Sequence, residues 1–273
     1  ADFHYMLPLD ADATILDLGS GYGNITIPLA RHYRKVIAVD TSVELLEFIR
    51  LRAESEGLTN IEYVHADPFE FCNLPFNNHV FDAAIISGVL EWVGAAKLDE
   101  NPQSLQQKFL TQVRSFIKED GFVYLAIENR LFPGYLHRDP HSKLPYTAYL
   151  PRYFADWYAR SRGLVDGYRT YIYSYFSYKR MLSSTGLSFA YFLFPFSSYK
   201  SPSVIWPERD EATRFILASG LGRELYTKKW RFLLRACRTI GCAGLFLSSY
   251  MIIASSRTIN KPPSILRQAG TVS

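Results

Sequence analysis

Apolar residues in this chain gather into short runs, and between the runs apolar side chains return every three or four positions. In the first half the runs lie near residues 14–18, 36–40, 61–66, 80–86 and 122–127. Runs of this length, rich in Val, Ile and aromatic residues, read as buried strands. Before the last of them, Leu105, Phe109, Leu110, Val113, Phe116 and Ile117 fall at helical spacing. The pattern predicts a helix over Leu105 to Lys118, terminated by Gly121. Strands alternating with helices predict a parallel sheet with helices on both faces.

From Glu128 to Thr170 the alternation stops, and Pro133, Pro140, Pro145 and Pro151 with Gly134, Gly163 and Gly167 mark an insertion. Ligands of open α/β sheets bind beyond the carboxyl ends of the strands, so an insertion after the fifth strand covers that site. Beyond it, Ser174 to Ser184 reads as a helix, Ser188 to Phe194 as a strand, Ser201 to Pro207 as a loop and Glu208 to Ile240 as mainly helical. The weakly polar stretch Ile240 to Ser256 is shorter than the about 20 apolar residues of a membrane span and holds four serines. Its centre, Ser249 to Ala254, is expected to be a core strand. With 273 residues, 48% of them hydrophobic, the chain can bury one large core. Its three cysteines, Cys72, Cys237 and Cys242, form neither a disulfide framework nor a zinc motif, which points to a reducing, cytoplasmic setting and to no metal.

The first run leads into Asp17-Leu-Gly-Ser-Gly-Tyr-Gly23, with Asp17, Gly19, Gly21 and Gly23 at alternate positions. Such a turn lets backbone approach a ligand closely and take φ > 0. Its last two glycines lie closer than in the dinucleotide fingerprint, which disfavours a diphosphate. Asp40 ends the second run 23 residues after Asp17, where an acid meets the two hydroxyls of a ribose. The third run ends in Asp67, and the fourth, Val80 to Ser87, completes the set.

These features in this order resemble class I S-adenosylmethionine (SAM)-dependent methyltransferases. The resemblance implies a Rossmann-like α/β fold with a seven-stranded, mostly parallel sheet and an antiparallel last strand, formed by Ser249 to Ala254. It implies SAM as cofactor, with Asp17, Gly19, Ser20, Gly21, Gly23, Asp40 and Thr41 on the first two strands. Asp67 would reach the adenine amino group between Ala66 and Pro68, and Ser87 would lie beneath the methyl donor. Glu91 and Trp92 would stand near the methionine part. One SAM-binding domain over 1–273 is expected: a cofactor half at 12–127, an acceptor insertion at 128–170, C-terminal elements at 171–256 and a tail at 257–273. Motif I begins within 17 residues of Ala1, so a preceding helical cap or further domains of a longer chain are also expected.

Methyl transfer from a sulfonium mainly needs a positioned nucleophile, and a hydroxyl nucleophile also needs a base. The insertion offers Glu128, His137, Asp139 and His141; His141 is expected to be the base and Glu128 to orient the acceptor. An anionic acceptor would call instead on Arg130, Arg138 or Arg152. The Asp/Asn-Pro-Pro-Tyr/Phe motif of amino-methylating relatives is replaced by Ser87-Gly-Val-Leu90, and Cys72 follows Phe71 rather than the proline of cytosine C5 enzymes. Gly88 to Val93, Glu128-Asn-Arg130, Tyr135-Leu136, His141 and Pro145-Tyr146 are similar to a bacterial group of class I methyltransferases associated with cell-surface polysaccharide assembly. The acid usual before the histidine is Pro140 here, with Asp139 one place earlier. That likeness implies O-methylation of a sugar, glycolipid or related hydroxylated or phosphorylated acceptor.

Charge and aromatic content leave alternatives open. Arg223, Lys228, Lys229, Arg231, Arg235 and Arg238 stand against Glu224 alone, and Tyr226, Trp230, Leu233, Leu234 and Cys237 share one helical face. This is a solvated surface helix or one that touches an anionic membrane at the inner face, through 223–240. Between Tyr146 and Tyr199 every third residue on average is aromatic, which serves packing or a ring-bearing acceptor equally. A non-catalytic SAM-fold module that binds a partner or membrane surface, and an RNA methyltransferase, are the competing functions; nucleic acid is the less favoured partner.

Overall fold

The computed structural model describes residues 6–66, 74, 76–207, 209–218, 228–239 and 241–258. Asp67, Pro68, Cys72, Arg223, Glu224, Tyr226 and all but the start of the 257–273 tail lie outside the described residues. The strands are β1 (Thr14–Leu18), β2 (Lys35–Asp40), β3 (Ile61–His65), β4 (Phe81–Ser87), β5 (Ile117–Glu128), β6 (Phe189–Phe196), β7 (Val204–Trp206) and β8 (Ser249–Ser255). The helices are α1 (Thr26–Ala30), α2 (Val43–Ser55), α3 (Pro102–Phe116), α4 (Arg152–Ser161), α5 (Tyr175–Ser184), α6 (Arg209–Ala218) and α7 (Lys228–Thr239).

One sheet runs β3-β2-β1-β4-β5-β8-β6-β7. Strands β1 to β5 pair in parallel, and β8 is antiparallel to both β5 and β6. Side chains alternate between two cores. Leu16, Leu18, Ala84 and Ile86 pack with Phe109, Leu110 and Val113 of α3, whereas Ile15, Ala83, Ile85 and Tyr124 pack with Leu29, Ala30 and Tyr33. The strand order reverses between β1 and β4, and at that switch point the carboxyl ends of β1, β2, β4 and β5 bring Asp17, Asp40, Ser87 and Glu128 to one edge.

The sheet has eight strands rather than the expected seven. The addition is β7, inside the segment expected to be a loop; Ser203 returns its N–H to the Phe196 carbonyl at 2.7 Å and so starts a hairpin on β6. The expected helix over 105–118 begins earlier, because Asn101 accepts from the Gln103 N–H and Pro102 fills the first turn. It also ends earlier, and Gly121 lies in β5 instead of stopping the helix. A Cβ on Gly121 would come within 2.6 Å of the Asp82 carbonyl oxygen, so this glycine permits close strand approach. On α7, Trp230, Leu234 and Cys237 pack towards the core as expected, while Leu233 and its neighbour Phe232 are exposed. Among the described residues no helix is long and apolar enough to cross a membrane.

Asn129 and Tyr173 form a parallel bridge, and the Arg130 N–H donates to the Tyr173 carbonyl at 3.0 Å, closing the neck of the insertion. Arg130 spends its guanidinium on the carbonyls of Ala148, Tyr149 and Leu150. Arg152 donates to Ile172 O at 2.5 Å and lies 4.1 Å over the Tyr171 ring. Arg130 is thus committed to the loop, Arg152 keeps a buried Nη1 with no hydrogen-bond partner, and Arg138 is exposed on the loop. Arg169 gathers the carbonyls of Gly94, Lys97 and Glu100, fastening the insertion to the loop after β4.

Gln106 of α3 is the second fastening and is fully buried. Its amide donates to the Leu90 carbonyl (2.8 Å) and the Tyr171 carbonyl (3.0 Å) and accepts from the Tyr173 hydroxyl (2.5 Å). Gln106→Leu strands all three groups at about 1–3 kcal/mol each, softened by relaxation. Urea unfolding is expected to show a loss of about 3 kcal/mol; a change under about 0.5 kcal/mol would mean that these bonds are replaced by water.

Candidate active site

The turn after β1 is held by the end of β2. The N–H groups of Gly19 and Ser20 both donate to the Val39 carbonyl, at 2.8 and 3.1 Å. Gly19, Gly21 and Gly23 all take positive φ. At Gly19 a Cβ would fall 2.3 Å from a Val89 methyl, so side chains are excluded by packing as well as by conformation. At Gly21 a Cβ would meet nothing within 4 Å, so this backbone borders open space. The Asp40 carboxylate accepts from the Gly21 N–H at 2.7 Å and the Ser42 N–H at 3.1 Å, one oxygen each. Each oxygen keeps a further lone pair for a ligand. Asp17 sits beneath, buried, with the Thr26 hydroxyl donating to it at 2.6 Å. Burial pushes the Asp17 carboxyl up to about 7; the Thr26 bond opposes this and the nearby Asp40 charge adds to it.

A cleft of about 320 Å3 opens here. Asp17, Gly19, Ser20, Gly21 and Ser87 line it together with Tyr199 and Lys200. Gly23 lies beneath, against Ile49. Thr41 is exposed, its carbonyl 3.0 Å from His65 Nε2, and the Ala66 N–H donates to the Asp40 carbonyl at 3.0 Å.

On the other side of the β4 and β5 tips, the expected pair of Glu128 and His141 comes together with a third residue, Glu91. Ligand atoms of all three lie within 4.8 Å of one another, and His141 Nε2 is 3.7 Å from Glu91 Oε1. The Tyr199 hydroxyl donates to Glu128 Oε1 at 3.2 Å, and Lys200 Nζ is 3.4 Å from the same oxygen. Burial raises the Glu91 carboxyl, against the opposing pull of His141. Burial also works against a charge on His141, but Glu91, Glu128 and Asp139 outweigh it and raise the imidazole above its ordinary value. Trp92 is half exposed and stands edge-on to the His141 ring at 5.2 Å.

Asp139 braces the loop that carries His141. It is buried and accepts from the N–H groups of His141 and Ser142, at 2.9 and 2.8 Å, and from the Tyr168 hydroxyl. His137 is exposed. Sequence reasoning missed Tyr199 and Lys200, which reach the cleft from the loop after β6. Glu91, expected near the methionine part of SAM, turns its carboxylate towards Glu128 and His141. A Cβ on Gly88 would lie 2.7 Å from the Tyr199 hydroxyl, so the glycine after β4 admits this residue between the two halves of the site.

Residues 15–121 match a family described as a methyltransferase domain. A 23S rRNA (uracil(1939)-C(5))-methyltransferase, RlmD, of Stenotrophomonas maltophilia is 43% identical over 56 residues, 20% of this chain and 13% of that protein. A probable ribosomal RNA small subunit methyltransferase A of Methanosphaera stadtmanae is 37% identical over 54 residues, 20% of each. The chain thus spans a fifth or less of these curated relatives. Two solved structures share the fold across 93% of this chain at 14% identity. One belongs to the complex of the Haloferax volcanii Trm112 methyltransferase activator with a methyltransferase (TM-score 0.53, 88% of that chain). The other is geranyl diphosphate methyltransferase in complex with SAM (TM-score 0.51, 82% of that chain).

Proposed function

We propose that this chain, which carries a class I SAM-dependent methyltransferase domain, methylates a hydroxyl oxygen of a sugar, glycolipid or related small acceptor. The observation that carries the reading is the convergence of Glu91, Glu128 and His141 beside the cleft. SAM, when bound, supplies a methyl carbon on a sulfonium that a nucleophile can displace. The glycine turn fits such a ligand, since Gly21 leaves space and Asp40 offers two oriented oxygens to a ribose; Ser20, Ala66 and Ser87 complete the described cradle, and Asp67 and Pro68 belong to the same reading. His141 takes the proton of the acceptor hydroxyl, and Glu128, fixed by Tyr199 and Lys200, orients it. Tyr199 keeps a proton to donate to Glu128, because burial and the Glu128 charge hold its hydroxyl in the neutral form. Trp92 and Tyr146, both half exposed, offer faces to a ring-bearing acceptor. Lys228, Lys229 and Arg235, exposed on α7, suit an acceptor presented at an anionic membrane surface.

The test is incubation with methyl-labelled SAM and separate lipid, glycan and RNA pools. Label in a glycan or glycolipid pool that is stable to mild base supports an ether product, and label confined to RNA overturns the reading. RNA is the second reading because the matched relatives are named for rRNA methylation; it requires RNA binding that weakens steeply with salt. Asp40→Ala is expected to weaken SAM binding in calorimetry about tenfold to a hundredfold, the worth of one charge-assisted hydrogen bond at about 1.5–3 kcal/mol. Equal affinities of the two proteins would remove Asp40 from the cofactor site.

A further inference from the structure

The acceptor-side cluster holds more acceptor atoms than donors. Glu91 Oε2, Glu128 Oε2 and His141 Nδ1 are buried and have no hydrogen-bond partner. Their side chains are 1%, 9% and 5% exposed. Two carboxylates face one imidazole, and the remaining cation, Lys200, is 65% exposed at the rim. Burying carboxylates without full compensation is costly. The 3.7 Å between His141 Nε2 and Glu91 Oε1 is too long for a hydrogen bond but suits two ligands on one ion, each about 2.0–2.2 Å from it. Such an ion would neutralise both carboxylates and engage their stranded oxygens.

We propose that Glu91, Glu128 and His141 form a binding site for a divalent cation of the Mn2+, Fe2+ or Zn2+ type, placed to hold an oxygen of the acceptor. Carboxylates suit Mn2+ and an imidazole suits Fe2+ and Zn2+, so a mixed set of two carboxylates and one imidazole can hold any of the three. Three protein ligands leave coordination positions open. The elements supplying them are rigid: the turn after β4, pinned through the Leu90 carbonyl by Gln106; the tip of β5; and the insertion loop, held by Asp139. A cation here would make a coordinated hydroxyl more acidic, so that in the ion-loaded protein His141 is a ligand and not the base. This rests on the reading that the cluster faces the acceptor.

The test is titration of the SAM-free protein with Mn2+, followed by the electron paramagnetic resonance signal of the free ion. One saturable site is expected. Glu91→Gln and His141→Ala each weaken it by at least about tenfold, since even outer-shell changes at metal sites cost that much. Lys200→Ala tightens it severalfold by removing a competing positive charge, an effect that a merely structural role would not produce. The melting profile and SAM affinity of each variant confirm that it folds. Asp40→Ala keeps the Mn2+ site while losing SAM affinity. Equal Mn2+ binding by the parent and by both ligand variants, or no saturable binding by the parent, overturns the cation site. If labelled acceptor still forms in EDTA, the proposed function stands without the ion; if Mn2+ binds as described but no acceptor is labelled, the function fails and the site stands.

Discussion

In the ion-free protein His141→Ala lowers the rate of methyl transfer at saturating SAM by about a hundredfold to ten-thousandfold, the range that a positioned proton acceptor supplies. The expectation follows from the position of the ring. Its side chain is almost fully enclosed, it approaches two carboxylates, and its backbone is fixed by the Asp139 carboxylate. Removing the imidazole leaves the glycine turn untouched, so SAM affinity should change less than about threefold. Single-turnover rates beside calorimetric SAM affinity make the measurement. A rate within about threefold of the parent would mean that the nucleophile is already anionic and that the ring only packs against Trp92.

Asp17→Asn should raise the stability of the ligand-free protein at pH 8 and flatten its dependence on pH. In the native state this carboxyl ionises near 7, against an ordinary value of 3.8. Below pH about 4 both native and unfolded chains hold the proton, and the group contributes nothing. Between about 4 and 7 the unfolded chain has lost the proton while the native state keeps it, so stability falls as pH rises. Above about 7 both are ionised, and the full penalty, on the order of 4 kcal/mol, is in force. Asparagine can still accept the Thr26 hydrogen bond, but its amide needs a partner of its own, which reduces the gain. Denaturant unfolding at pH 4, 6 and 8 checks this: curves for the two proteins that run parallel would show that Asp17 does not titrate in that range. The same balance predicts tighter SAM binding as pH rises through 7, because an ionised Asp17 suits a cationic ligand.

The parts of the fold legible in sequence were those written locally. Strands β1, β2 and β4, the glycine turn and Asp40 show as short apolar runs with an acid or glycine at the end, since burial on both faces removes polar residues, whereas the edge strand β3 is only partly buried and keeps Glu62. Glu128 and His141 were legible as polar side chains at a strand tip and in its insertion. That the Glu91 carboxylate turns towards Glu128 and His141 is not legible in sequence, because a position after β4 does not tell which way a side chain turns. Tyr199 and Lys200 carried no signal: they sit after an apolar strand in a stretch dense with aromatic residues, and only the β6–β8 pairing delivers them to Glu128. Gly121 was misread for a similar reason, since its neighbour is Asp82 of another strand and the helical pattern of α3 runs up to the start of β5. The edge strand β7 is too short for a period to show.

The insertion leaves and rejoins the sheet through adjacent residues, Asn129 and Tyr173, and Arg130 ties its interior together through its own carbonyls. A segment with touching ends behaves as a cassette, replaceable without shifting the strands that carry it. Selection for new acceptors could therefore act on about forty contiguous residues while the nucleotide cradle stays as it is. Laboratory grafting of this loop between related sheets should exchange acceptor preference and leave cofactor affinity in place, provided that Gln106 and the carbonyls gathered by Arg169 are carried along.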